Sequence, residues 1–119
     1  MRLLLVEDDR MIGETVQDVL RSEHYTVEWV QDGLTAESAL KTKDYDLILL
    51  DIMMPEMDGY DTMRAIRRIP KFKSLPIITL TAKAMKGDRD KCIAAGASDY
   101  ITKPVDVAQL LSMMRVWLH

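Results

Sequence analysis

Five short stretches of the chain are apolar throughout or alternate apolar with polar: "RLLLV" (2–6), "YTVEWV" (25–30), "DLILL" (46–50), "PIITLT" (76–81) and "SDYIT" (98–102). Each predicts a β-strand. Between them the apolar residues return at helical spacing. Ile12, Val16, Val19 and Leu20 share one face of a first helix, and Leu34, Ala39 and Leu40 form a thinner stripe after the turn signal Asp32-Gly33. Tyr60, Met63 and Ile66 line a third helix that starts near Asp58, an acceptable N-cap. A fourth ends at Gly96, a suitable C-cap, and a last one buries Val107, Leu110, Leu111, Met114 and Leu118.

Strict alternation of strand and helix predicts an α/β fold with parallel strands joined by right-handed crossovers. The first and third strands are continuously apolar, as central strands covered on both faces must be. In such a sheet ligands bind beyond the carboxyl ends of the strands, where strand order reverses. Those ends carry Glu7, Asp8 and Asp9 after the first strand, Asp51 at the third, Thr81 at the fourth, and Lys103 with Pro104 after the fifth.

If the first and third strands are neighbours, carboxylates from residues 7 to 9 face Asp51. At about 4 Å and an effective dielectric near 20, each ionised pair repels by roughly 4 kcal/mol. The cluster must therefore take up protons or hold a cation. An all-oxygen site with room for water suits Mg²⁺, and Mn²⁺ also fits. Lys103 adds a second positive point and Thr81 a hydroxyl donor, which completes the parts needed to accept a phosphoryl group. Taken singly, each residue has a plainer reading. Asp9 is the N-cap of the helix starting near Arg10, a threonine is a good β former, and a lone lysine is a solvated charge. The joint placement at four strand ends is what points to chemistry.

Composition narrows the classes. At 119 residues the chain reads as one domain spanning 1–119. Its net charge of -3, with cations dispersed, argues against nucleic-acid binding through this chain. The single cysteine, Cys92, cannot form an internal disulfide and sits at core-like helical spacing, and the nine methionines read as packing residues. The apolar runs are too short to span a membrane, and the acids of "MRLLLVEDD" break any signal peptide. The expected location is cytoplasmic, with no membrane partner.

The motifs "LLLVEDD", "DLILLDIMMPEMDG", "LPIITLTA" and "GASDYITKP" stand in an order and at a spacing that resemble a two-component response-regulator receiver domain, over essentially the whole chain. The resemblance implies a flavodoxin-like (CheY-like) fold: a (βα)5 three-layer sandwich around a five-stranded parallel sheet in the order 2-1-3-4-5. It implies that Asp51 is the phosphoacceptor, with Asp8 binding Mg²⁺ directly, Glu7 through water, and the Met53 carbonyl as a further ligand. Thr81 would be the switch hydroxyl, Tyr100 the switch aromatic and Lys103 the phosphoryl-binding cation, followed by a cis bond to Pro104.

The implied donor is the phosphohistidine of a histidine kinase or histidine phosphotransfer protein, docking around Met11, Ile12, Pro104 and Val105. The implied response is a population shift in the face made by the fourth helix, fifth strand and fifth helix, in a monomer or a weak phosphorylation-dependent dimer. Met53 and Lys83 match positions that tune access of the hydrolysing water, and an apolar Met53 predicts slow self-dephosphorylation. Residues 1–50 resemble receivers of winged-helix regulators, whereas 51–118 resemble those of hybrid histidine kinases, a split that a chimeric chain would show.

Three other readings compete. A haloacid-dehalogenase-type phosphatase also uses a strand-end Asp, but wants a second acid where Met53 stands. A flavodoxin proper would cradle a phosphate where "EDDR" repels it. A receiver-like adaptor that is never phosphorylated would not need Asp51, Thr81 and Lys103 together. The expected role is thus a signalling switch that catalyses only its own phosphorylation and dephosphorylation, with Asp51 an exposed nucleophile at the rim.

Overall fold

The computed structural model describes residues 1–52, 59–81 and 88–118. Strands β1 (Arg2–Val6), β2 (Thr26–Val30), β3 (Leu47–Asp51), β4 (Ile77–Thr81) and β5 (Asp99–Thr102) form one parallel sheet in the order β2-β1-β3-β4-β5. Helices α1 (Arg10–Ser22), α2 (Gly33–Thr42), α3 (Gly59–Arg68), α4 (Asp88–Ala95) and α5 (Val107–Trp117) connect and follow them, with a short 3-10 turn at Pro70–Phe72. The expected architecture and strand order are both present.

Every residue of β3 and β4 is buried, as the unbroken aliphatic runs require. Side-chain alternation divides the core into two layers. Leu4, Val6, Ile48, Leu50 and Ile77 pack with α2, α3 and α4 through Ala36, Leu40, Met63, Ile66 and Cys92. Leu3, Leu5, Leu47, Leu49, Ile78 and Ile101 pack with α1 and α5 through Val16, Leu20, Leu110 and Met114. Cys92 is fully buried, in keeping with a packing role.

Two expected core residues lie outside. Leu34 is 70% exposed because it stands about 100° around α2 from the buried Gly33, and Val107, the first residue of α5, is 37% exposed. In α2 the buried stripe is carried instead by Gly33, Ala36 and Leu40. The N-cap expected at Asp58 lies outside the described residues.

Caps fix where three helices leave the carboxyl rim. Asp9, Asp32 and Asp106 accept the backbone N–H three residues on, from Ile12 at 3.1 Å, Thr35 at 2.7 Å and Gln109 at 3.1 Å. Asp9 is thereby committed to structure, which leaves Glu7 and Asp8 for the site.

Arg67 ties α3 to the far end of the sheet. Its guanidinium donates to the carbonyls of Gly96 (2.9 Å), Phe72 (2.8 Å) and Leu75 (2.6 Å). Gly96, just after α4, has φ +120°, and a Cβ there would lie 2.8 Å from Arg67 Cγ. Gly96→Ala therefore meets both backbone strain and a collision, and urea denaturation is expected to show a loss of about 1–2 kcal/mol. An unchanged midpoint would contradict this account of the α4 terminus.

Candidate functional site

The register of the sheet builds the site. Val6 pairs with Leu50, so the next residues, Glu7 and Asp51, emerge side by side at the carboxyl rim. Asp51 pairs with Leu80 and Thr81 with Thr102, and the Lys103 N–H donates to the Thr81 carbonyl at 2.7 Å, prolonging the ladder by one rung. Alternation sends Glu7, Asp51 and Lys103 to the side on which Leu5, Leu49 and Ile101 pack. Three strand ends thus deliver two acids and one cation to the same point.

Lys103 Nζ lies 2.8 Å from Glu7 Oε1 and 3.1 Å from Asp51 Oδ2. Carboxylate oxygens of Glu7, Asp8 and Asp51 come within 4.8 Å of one another. Asp51 is only 1% exposed and Glu7 wholly buried, while Asp8 stands at the exposed mouth. This corrects the expectation of an exposed Asp51: its carboxylate lies beneath the Lys103 ammonium, a contact that strand-end placement alone does not reveal. Thr81 is also buried, at 2% exposure.

The electrostatics follow from crowding. Burial, the largest cause, and the adjacent Asp51 carboxylate push Glu7 from its ordinary 4.5 up to about 8, against the pull of Lys103. Burial and then Asp51 also raise Asp8. For Lys103 burial opposes the charge, yet Glu7 and Asp51 together outweigh it and raise the pKa.

Among the described residues Glu7 Oε2 is buried without a hydrogen-bond partner. Among the described residues an orphaned carboxylate oxygen stands beside two further acids, with one lysine among the three acids, a donor set short of positive charge. These residues fit a hard divalent cation, which prefers oxygen ligands. The Met53 carbonyl and Lys83, also expected to act here, lie outside the described residues.

The peptide bond between Lys103 and Pro104 is cis, as the resemblance implied. Tyr100 is half-buried on β5 opposite Thr79. Alternation puts it on the α4 side of the sheet, the side to which Thr79 and Thr81 also point. Around the rim Met11 is 77% exposed, Pro104 exposed, and Ile12 and Val105 half-buried.

A second concavity, about 390 Å³, lies at the opposite end of the strands and is lined by Arg2, Lys41, Thr42, Lys43, Asp44 and Lys71. Two of its lysines are drawn into ion pairs, Lys43 with Glu28 and Lys71 with Asp44. Among the described residues no helix is long and apolar enough to cross a membrane.

Residues 3–115 match the family described as "Response regulator receiver domain". The chain is 43% identical over 115 residues to the response regulator protein PmrA of Pseudomonas aeruginosa, covering 97% of this chain and 51% of that protein. It thus spans about half the length of the curated relatives it matches. The receiver domain of the sensor histidine kinase PA1611 from Pseudomonas aeruginosa, solved with a magnesium ion coordinated in its active-site cleft, superposes with a TM-score of 0.89 at 40% identity, covering 98% of this chain and 95% of that one. The chemotaxis response regulator CheY4 of Vibrio cholerae gives a TM-score of 0.92 at 29% identity, with 98% of each chain covered.

Proposed function

The chain belongs to the response-regulator receiver family, and from that premise we propose that Asp51 accepts a phosphoryl group from the phosphohistidine of a histidine kinase or histidine phosphotransfer protein. Members of this family act as signalling switches, and the buried pairing of Lys103 with both Glu7 and Asp51 is the observation that best supports this reading here.

An oxygen of Asp51 forms the O–P bond as the N–P bond of the phosphohistidine breaks, and the imidazole nitrogen leaves with the bonding pair. Lys103, already within 3.1 Å of Asp51, neutralises charge as the phosphoryl oxygens arrive. Burial of Asp51 strips water from the nucleophile and shields the product acyl phosphate. Glu7, Asp8 and Asp51, with the Met53 carbonyl, would hold Mg²⁺, and the same oxygens suit Mn²⁺. When bound, the cation supplies further charge neutralisation at the phosphoryl oxygens.

Thr81, at the end of the neighbouring strand, turns its hydroxyl toward the acyl phosphate, and Tyr100 on the same side of the sheet follows it inward. The face made by α4, β5 and α5 then changes population, in a monomer or a weak dimer formed on phosphorylation.

Intact-mass spectrometry after incubation with Mg²⁺ and acetyl phosphate, or with a phosphorylated histidine donor, tests the reading. The expected result is one phosphoryl adduct in the wild type and none in Asp51→Asn. No adduct, or one that survives the substitution, would overturn the assignment. Turnover of small phosphomonoesters would favour a phosphatase instead.

A further inference from the structure

Half-buried Trp29 on β2 makes a contact that strand formation does not require. Its indole Nε1–H donates to the backbone carbonyl of Glu7 at 2.9 Å. The N–H of the same residue donates to Val30 O at 3.0 Å, so both backbone groups of Glu7 are tied to β2. The last rung of the β1–β2 ladder is Val6 with Val30, and beyond it the indole takes the place of the next backbone donor. The ring is itself wedged against α1. A Cβ on Gly13 would lie 2.2 Å from Trp29 Cζ2, so only glycine lets the helix approach this closely. Gly13 N–H bonds Asp9 O at 2.9 Å in the first turn of α1, which begins directly after the corner Glu7–Asp8–Asp9.

We infer that Trp29 is a positioning residue for the acidic pair: its N–H fixes the Glu7 peptide, and through it the direction in which the Asp8 carboxylate leaves the corner. The inference rests on the proposed cation-holding role of Glu7, Asp8 and Asp51. Mutual repulsion of these acids pushes the corner open. A hydrogen bond to the Glu7 carbonyl resists that push without using any carboxylate oxygen, so the ligands converge before the cation arrives. A purely structural Trp29 would fill the space over Gly13 equally well without its N–H.

The test is calorimetric titration of the full chain with Mg²⁺ alone, comparing wild type, Trp29→Phe and a protein carrying benzothienylalanine at position 29, which keeps the ring shape but cannot donate. Thermal unfolding in EDTA monitors folding. Loss of the N–H is expected to raise the Mg²⁺ dissociation constant by roughly three- to tenfold in both variants. In the wild type the Trp29 indole ¹⁵N–¹H cross-peak, assigned with Trp117→Phe, is expected to move during the titration and saturate with the calorimetric constant. Affinity within twofold of wild type in the benzothienylalanine protein, or a stationary Trp29 cross-peak while Mg²⁺ binds, overturns the inference and leaves the cation site standing. A wild type that does not bind Mg²⁺ overturns both.

Discussion

In metal-free buffer at pH 8, Glu7→Gln is expected to unfold at higher denaturant than the wild type, by about 2–4 kcal/mol. The direction is unusual for a substitution inside a buried cluster. Glu7 is wholly enclosed, one of its oxygens has no partner among the described residues, and its neighbours Asp8 and Asp51 are also acids. The folded protein therefore holds the Glu7 proton up to about pH 8, whereas the unfolded chain releases it near 4.5. Between those values the folded state binds more protons, so wild-type stability falls as pH rises from about 4.5 to about 8 and then levels. Glutamine keeps the shape and an oxygen for Lys103 but has no charge to bury, so the slope across that window should flatten. The same variant should lose much of its Mg²⁺ affinity. Urea denaturation in EDTA between pH 5 and 8, paired with Mg²⁺ titration, reads both effects; a Glu7→Gln protein less stable than wild type at pH 8 would contradict the electrostatic account.

A site in which burying Glu7 is expected to cost stability is a place where local preference yields to function. That explains why its members were legible in the sequence while their state was not. The five strands announce themselves because buried strands must be unbroken aliphatic runs, and the observed limits differ from the expected ones by no more than a residue. With the strands in place, Glu7, Asp51, Thr81 and Lys103 could be read as their ends. Which of them touch depends on sheet order and side-chain parity, and burial of Asp51 depends on a lysine brought in by β5. Leu34 misled because periodicity counts an isolated apolar residue with a stripe that Gly33, Ala36 and Leu40 carry on a different face of α2.

Arg67 and Trp29 were invisible for a different reason. A cation on a helix ordinarily reads as solvated, and an aromatic on a strand as packing. Their partners are backbone carbonyls from remote segments, and carbonyls leave no mark in a sequence. Pairing also decides how Asp51 behaves. With Lys103 over it, a phosphoryl donor of the kind proposed would have to compete with an ion pair already in place.

Removing that lysine should therefore act on chemistry and stability at once. In Lys103→Met the butyl stem is replaced by a chain of similar length, but Glu7 and Asp51 lose the ammonium at 2.8 and 3.1 Å. Phosphotransfer is expected to slow by roughly 100- to 1,000-fold, the cost of losing one preorganised positive group aimed at developing charge. Stripping one partner from a buried pair costs about 3–5 kcal/mol when the remaining charge cannot neutralise. Here it can: Glu7 takes up a proton, and without Lys103 to pull its pKa down it does so over a still wider range. The stability loss should therefore be small and nearly constant between pH 6 and 8 and grow only above about pH 8, where Glu7 ionises in the wild type but keeps its proton in the variant, while the loss in phosphotransfer persists throughout. Lys103→Met combined with Glu7→Gln should recover much of the stability lost above pH 8 and none of the rate, because the acid that must be kept protonated without the cation is gone while the phosphoryl oxygens still lack it. Stopped-flow phosphorylation and urea denaturation of the two singles and the double close the cycle. A double variant that regains the rate would show that Lys103 serves only to neutralise Glu7.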